Sequence, residues 1–575
     1  MNKILLSLIF SAFICIAAPS MACTNFLVTK GASKNGSTFI TYAADSHTLY
    51  GELYFWPAAS YPEGTMLQVY EWDSGKFLGE IPQASKTYRV VGNTNEYGLA
   101  IGETTFGGVG KLVDTTGIID YGSLIYITLQ RAKNAREAIK VMAELVEDYG
   151  YCSAGESFSV SDPNEVWILE MVGKGTKIQA DKKSKIAENV NKGAAWVAIR
   201  IPDGYVCAHA NQARIQTFPW SNGLTSISSK ELDKIFDSEI EVVYAADVAQ
   251  TARDFGLYTG NDEDFSFSDI YNPVDFGGAR YCDSRVWSFF RSVNNDMSKY
   301  KDYAMGYDLK NRMPLYIKPD EKISFEHVAG MMRDHFEGSE IDMTTDIGAG
   351  PFKLPYRWRP MSWEVDGEKF IHERAIATQQ TGFWFVAECR SEMPQQLSGI
   401  LWFSADDAAT SCLTPIYSCI SRVPEEYEVG NGDLLTYSEN AAFWVFNRVT
   451  NFAYLRYDVM SRDIIKLQQE LESKYVELVS VIDEHAKNLY SENEDKAIEF
   501  VTDFSVNTAS STIKRWKELD NYLLVKYIDG NIKREANGEF LRTPTGVSVS
   551  PEQPQLPEFW RRAIKEDAGE KLKAK

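Results

Sequence analysis

The sequence predicts an α+β protein built on antiparallel sheets. Two observations carry this. Short strand-like segments recur in pairs separated by tight turn signals, and those pairs flank segments whose apolar residues repeat with helical spacing. Hairpin-length connections between strands argue for antiparallel rather than crossover topology. The first pair is residues 24–30 and 38–44, with Asn35-Gly36 between them, the strongest short hairpin signal. With the turn centred near Lys34–Gly36, antiparallel register brings Asp45 opposite residues near Asn25, close to Cys23. Residues 123–149 read as one helix, because Leu124, Thr128, Ala132, Ala135, Ile139, Met142 and Val146 share a face. Residues 157–161 and 166–171 read as strand, turn, strand across Asp162-Pro163-Asn164-Glu165. Residues 195–201 and 205–209 read the same way across Pro202-Asp203-Gly204. Shorter helices are expected at 245–255 and 325–336. Residues 458–527 are helical throughout, with a stripe through Ile464, Leu467, Leu471, Tyr475, Leu478, Ile482, Ala486 and Leu489 that reads as core packing. The Lys/Glu-rich end from Lys565 reads as a solvated tail.

Composition narrows the function. Of 575 residues, 44% are hydrophobic and 24% charged, as in an ordinary globular protein. The formal net charge of −21 repels nucleic acid and anionic lipid surfaces, which excludes both as partners. Lys3, the apolar run 4–18, and Ser20 and Ala22 at the −3 and −1 positions form a secretory signal peptide over residues 1–22. No other stretch reads as a membrane span, so a secreted or periplasmic protein beginning at Cys23 is expected. A competing reading makes Cys23 a lipidated anchor, but Ser20 stands where that pathway usually has Leu. Besides Cys15 in the signal, seven cysteines remain, an odd number that points to one free thiol with a function. Whether the other six pair is left open by their spacing.

Familiar catalytic motifs are missing. There is no His-Glu-x-x-His, no paired Cys-x-x-Cys and no Gly-x-Ser-x-Gly. Gly107, Gly108, Gly110 and Lys111 imitate a phosphate loop, but Thr105 and Leu112 occupy positions that need Gly and Ser/Thr. His209 and His327 carry no spacing that links them to a cysteine. A Cys at a mature N-terminus needs no histidine, since its own α-amine can take the thiol proton. The two groups have ordinary pKa values of about 8 and about 8.5, so transfer between them is nearly balanced. Asp45 is placed by the hairpin to hold that amine.

Cys23-Thr24-Asn25-Phe26, the Asn35-Gly36 hairpin and Asp45 together resemble the N-terminal-nucleophile hydrolases, and most closely the PepD-type dipeptidases, cousins of penicillin V acylase and bile-salt hydrolase. Asn95-Glu96-Tyr97-Gly98-Leu99-Ala100, Gly155-Glu156 through Glu170, Ala208-His209-Ala210-Asn211 and Arg280 through Trp287 fit the same family in the same order. The resemblance implies a four-layer αββα fold over residues 23–455, with residues 456–575 a helical extension and tail. It implies Cys23 as nucleophile, Asp45 orienting its amine, Asn211 as oxyanion donor and Arg285 steadying Cys23 and Asp45. Asn95 reads as a turn former, and Trp167, Trp196 and Trp287 as core. The implied substrates are dipeptides or short peptides with a free amino end, with no metal or organic cofactor, and a homo-oligomer is compatible. Two departures are visible: Tyr42 stands where the superfamily often has Arg, and Thr105 stands where the acylases have an oxyanion Asn, leaving Thr105 a candidate donor through its backbone amide. An N-acyl amide hydrolase and a non-catalytic lipoprotein are the alternatives.

Overall fold

A computed structural model describes residues 23–180 and 187–574. The expected signal peptide, residues 1–22, lies outside them. The chain is a mixed α+β protein. Among the described residues its two large sheets have seven and nine strands. In the seven-stranded sheet Val206–His209, Asn25–Val28, Thr38–Asp45 and Thr381–Cys389 are successive neighbours. In the nine-stranded sheet Ala194–Arg200, Val166–Gly173, Gly155–Ser161 and Ala100–Gly107 run side by side.

The two sheets face each other through polar as well as apolar groups. The Thr38 and Ser161 hydroxyls meet at 2.9 Å. His209, on one sheet, lies 2.7 Å from both the Thr104 and Ser159 hydroxyls of the other. Burial pushes the His209 imidazole down to about 3, so it is neutral, and it serves as a bridge between layers. The close approach depends on Gly102, where an added Cβ would lie 2.8 Å from the Asn25 side chain. Strand alternation turns Phe26 the other way, where it stacks on Phe289 of the helix Ser284–Val293 at 4.2 Å. Helices Tyr121–Leu129 and Ala135–Tyr149 pack on the nine-stranded sheet. Helices Ala442–Ala453, Tyr457–Glu492 and Glu494–Lys526 pack on strands Gly399–Ala405 and Thr414–Tyr417 of the other.

Several expected elements change in detail. The first hairpin forms, but the short 3-10 turn Lys30–Ala32 lies in its connection, and Leu27 pairs with Ile40 and Thr24 with Ala43. Asp45 is thereby carried past Asn25 to the Cys23 end of the pair. The single helix over 123–149 is two helices. The Asn95 amide donates to the Leu129 and Ala132 carbonyls, and Asn134 caps the second helix by accepting from the Glu137 N–H. Those polar contacts end one helix and start the next, which apolar spacing does not register. Asn95 also accepts from the Tyr97 and Leu99 N–H groups, as a turn former does. The pair 195–201 and 205–209 is not a hairpin. Ala194–Arg200 stays in the nine-stranded sheet, and Val206–His209 pairs with Asn25–Val28 in the other. The Thr29 hydroxyl anchors the crossing by accepting from the Gly204 and Tyr205 N–H groups. The helices at 245–255 and 325–336 shorten to Val248–Asp254 and Phe325–Met331. The pattern over 458–527 is two helices, the second capped by Asn493. The end of the chain carries a helix, Glu558–Leu572, with no buried residue. All seven described cysteines are free. Among the described residues no helix is long and apolar enough to cross a membrane.

Candidate active site

Cys23 is buried two residues before the strand Asn25–Val28 and lines a cavity of about 250 Å³. Asp45, at the end of the neighbouring strand, lines the same cavity. The ladder between Thr38–Asp45 and Thr381–Cys389 shifts register between Ala44 and Asp45. Such irregularities re-aim a side chain. Here Asp45 accepts from the Arg374 Nη2 at 2.6 Å and from the Thr381 hydroxyl at 2.6 Å. Burial still pushes its carboxyl up to about 6 despite Arg374.

A second guanidinium ties the rest together. Arg285 enters on the helix Ser284–Val293, which continues directly from the π-helical turn Gly278–Asp283. Its Nη1 donates to the Cys23 carbonyl at 2.6 Å and the Thr24 hydroxyl at 2.8 Å. Its Nη2 donates to the Ala210 carbonyl at 3.1 Å and the Asn211 Oδ1 at 2.9 Å. Its Nε donates to the Tyr281 carbonyl at 2.9 Å. Burial and Arg374 lower it to about 10, still protonated at neutral pH. A buried arginine requires this many acceptors.

Asn211 follows the strand Val206–His209 with a left-handed φ of 61°. Few residues other than Asn and Gly tolerate that conformation. It turns the side chain so that Nδ2 donates to the Thr105 carbonyl at 2.7 Å while Oδ1 faces Arg285. Thr105 meets Asn211 through its carbonyl, and its hydroxyl donates to Glu156 at 2.9 Å.

Behind the sulfur lies a carboxyl pair that sequence reasoning missed as part of the site. The Cys23 thiol donates to the Glu103 Oε1 at 3.7 Å and sits 4.0 Å from the Tyr42 hydroxyl, which itself donates to Glu103. Burial and the Glu103 charge drive Glu156 well above the carboxylate range, and burial pushes Glu103 up to about 7. The Glu103 charge thus favours the proton on Glu156, while an interaction with the Glu156 side chain lowers Glu103 in turn. Burial, Glu103 and Asp45 together push the Cys23 thiol upward, while the Asp45 backbone N–H favours the thiolate. Arg374 was likewise missed. It is 329 residues from Asp45 in the chain, and no motif marks it. Among the described residues no cluster of three or more His, Cys, Asp or Glu could hold a metal ion.

The structure thus brings Cys23, Asp45, Asn211, Arg285 and Thr105 into one connected region. His327 stands apart, 3.1 Å from the Ser292 hydroxyl.

Comparison with known proteins finds dipeptidases among the relatives of this chain. The chain is 20% identical over 530 residues to a probable dipeptidase B of Streptococcus pyogenes, covering 88% of this chain and 93% of that protein. It is 22% identical over 418 residues to a probable dipeptidase of Salmonella dublin, covering 69% and 81%. It is 21% identical over 394 residues to dipeptidase A of Lactobacillus helveticus, covering 68% and 69%. The model of peptidase family C69 matches residues 52–470, most of the chain, and this protein therefore belongs to that family.

Proposed function

We propose that this chain is a secreted dipeptidase of the N-terminal-nucleophile type, its two facing sheets forming the inner layers of a four-layer αββα fold. Removal of residues 1–22 would free the α-amine of Cys23. One observation carries the reading: a single guanidinium, Arg285, holds both the carbonyl of the cavity-lining Cys23 and the side chain of Asn211.

The electrostatics favour a terminal amine as base. In a buried site with carboxyls on two sides, a lone thiolate is costly. Proton transfer to the α-amine of the same residue places an ammonium beside the thiolate and near Asp45, which offsets that cost. The sulfur then attacks the amide carbonyl, forming the S–C bond and moving the π electrons onto oxygen. Asn211 has a second Nδ2 hydrogen that the Thr105 carbonyl does not use, and it donates to this oxyanion. Such a donor is worth about 3 kcal/mol in comparable sites. Collapse breaks the C–N bond, and the ammonium proton passes to the leaving amine. Water next attacks the thioester with the α-amine again taking the proton, and the acid departs as the S–C bond breaks. Arg285 and Arg374 act as positioning residues through Cys23, Asn211 and Asp45. The names of the dipeptidase relatives support dipeptides as the substrate class.

N-terminal mass analysis of the exported protein tests the origin of the amine. An unmodified Cys23 terminus is expected, and a diacylglyceryl or otherwise blocked Cys23 would sink the mechanism. Cys23→Ala is expected to fold and to lose dipeptide hydrolysis to the background rate. Undiminished turnover by that variant would refute Cys23 as the nucleophile.

A further inference from the structure

The cavity that Cys23 opens into is lined by two carboxylates, and only one of them is neutralised. Asp45 is paired with Arg374. Asp73, which lines the same cavity, forms no salt bridge among the described residues, and burial together with the nearby Glu71 and Asp120 raises its pKa. Its Oδ1 accepts from the Tyr121 hydroxyl at 2.8 Å, which fixes its orientation.

Asp73 sits in the turn joining strands Met66–Tyr70 and Phe77–Pro82, closed by the Glu71 N–H donating to the Lys76 carbonyl at 2.8 Å. That turn is docked on the start of the helix Tyr121–Leu129. The Trp72 N–H donates to the Asp120 Oδ2 at 2.8 Å, and Trp72 lies so close to Gly122 that an added Cβ would fall 2.5 Å from its ring. Trp72 in turn meets Tyr54 and Tyr126, with ring centroids at 4.7 and 4.5 Å. All these aromatic side chains line the cavity. A carboxylate framed by aromatic faces is a recognition site for an organic cation, through Coulomb attraction and the ring quadrupoles together.

The geometry points to Asp73, with Trp72, Tyr54 and Tyr126 around it, as the group that reads the free α-ammonium of the substrate. This deepens the proposed function and rests on it. Asp73 is a specificity-determining residue that limits cleavage to substrates with an unblocked amino end.

The test uses the mature protein, with dipeptides of neutral side chains and their α-hydroxy counterparts, in which a hydroxyl replaces the ammonium. The wild type is expected to prefer the dipeptide by about a hundredfold in kcat/KM. Asp73→Asn should lose most of that factor on the dipeptide, chiefly in KM, and change the hydroxy substrate far less, with the thermal unfolding midpoint reporting that the variant is folded. Asp73→Glu should restore part of the preference. In the Cys23→Ala background, calorimetric dipeptide affinity should weaken by a similar factor on adding Asp73→Asn. Unchanged discrimination in Asp73→Asn overturns the assignment while leaving the dipeptidase reading standing. A loss confined to substrates with a lysine side chain, with discrimination among neutral dipeptides intact, also overturns it. No cleavage of either substrate by wild type with a free Cys23 terminus overturns the dipeptidase reading and the role of Asp73 together.

Discussion

The wall behind Cys23 and the C-terminal helical hairpin are both buried, yet they are built from opposite chemistry. The helices Tyr457–Glu492 and Glu494–Lys526 bury Ile464, Leu471, Ala509, Ile513 and Trp516 at helical spacing, and neighbours in sequence share each stripe. Around Cys23 the buried residues are Asp45, Glu103, Glu156, Arg285 and Arg374, drawn from five distant segments. Apolar packing tolerates rearrangement because it is non-directional. Buried charge does not, since each group left unpaired carries its full desolvation cost. The hairpin is a source of stability, and the cavity wall holds groups in states that water would not allow.

Breaking the charged side should give the largest effect. Arg374→Ala leaves Asp45 buried without its guanidinium, and loss of about 3–5 kcal/mol is expected together with a collapse of kcat. Denaturant unfolding and dipeptide kinetics on one sample check it, and activity within a few-fold of wild type would remove Asp45 from the positioning network. Breaking the apolar side separates the two properties. Trp516 is fully buried against Phe446 at 5.3 Å, so Trp516→Ala should cost about 3–5 kcal/mol of stability while kcat/KM below the unfolding temperature stays near wild type. A matched fall in activity would mean that the hairpin supports the site directly.

The smallest effect sharpens the contrast through pH. Glu103 titrates at about 7 in the folded protein, against an ordinary value of 4.5. Between those values the folded state holds a proton that the unfolded state has lost, so stability falls as pH rises through that window and levels off above it. Glu103→Gln removes this contribution. It should gain more stability relative to wild type at pH 8 than at pH 5, measured by urea unfolding at both. The slope that remains would belong to the other raised carboxyls, Asp45, Asp73, Glu156, Glu170 and Asp406 among them. An equal difference at both pH values would mean that Glu103 is ionised throughout.

The same contrast explains what could be read in advance. The first hairpin was legible because Asn35-Gly36 is a local signal, and the stripe from Ile464 to Leu489 was legible because helical packing repeats every three or four residues. The helix break near Asn134 was missed because the group that ends the first helix, Asn95, lies far back in the chain. The turn at Pro202-Asp203-Gly204 looked like any hairpin, and only its docking on Thr29 sends the next strand to the other sheet. At the site, Cys23 and Asp45 were visible through local order and register, and Asn211 and Arg285 through resemblance. Tyr42 was noted only as a departure. Its hydroxyl donates to Glu103, while the cation that meets Asp45 comes from Arg374.

By itself the sequence determined most of the strands and helices and the place of Cys23 just before the first hairpin, because each depends on neighbours within a turn or a hairpin. Tertiary structure alone decided which charges surround that cysteine. Counter-ions and shared protons are set by distance through space, and residues hundreds of positions apart carry no pattern that announces their meeting.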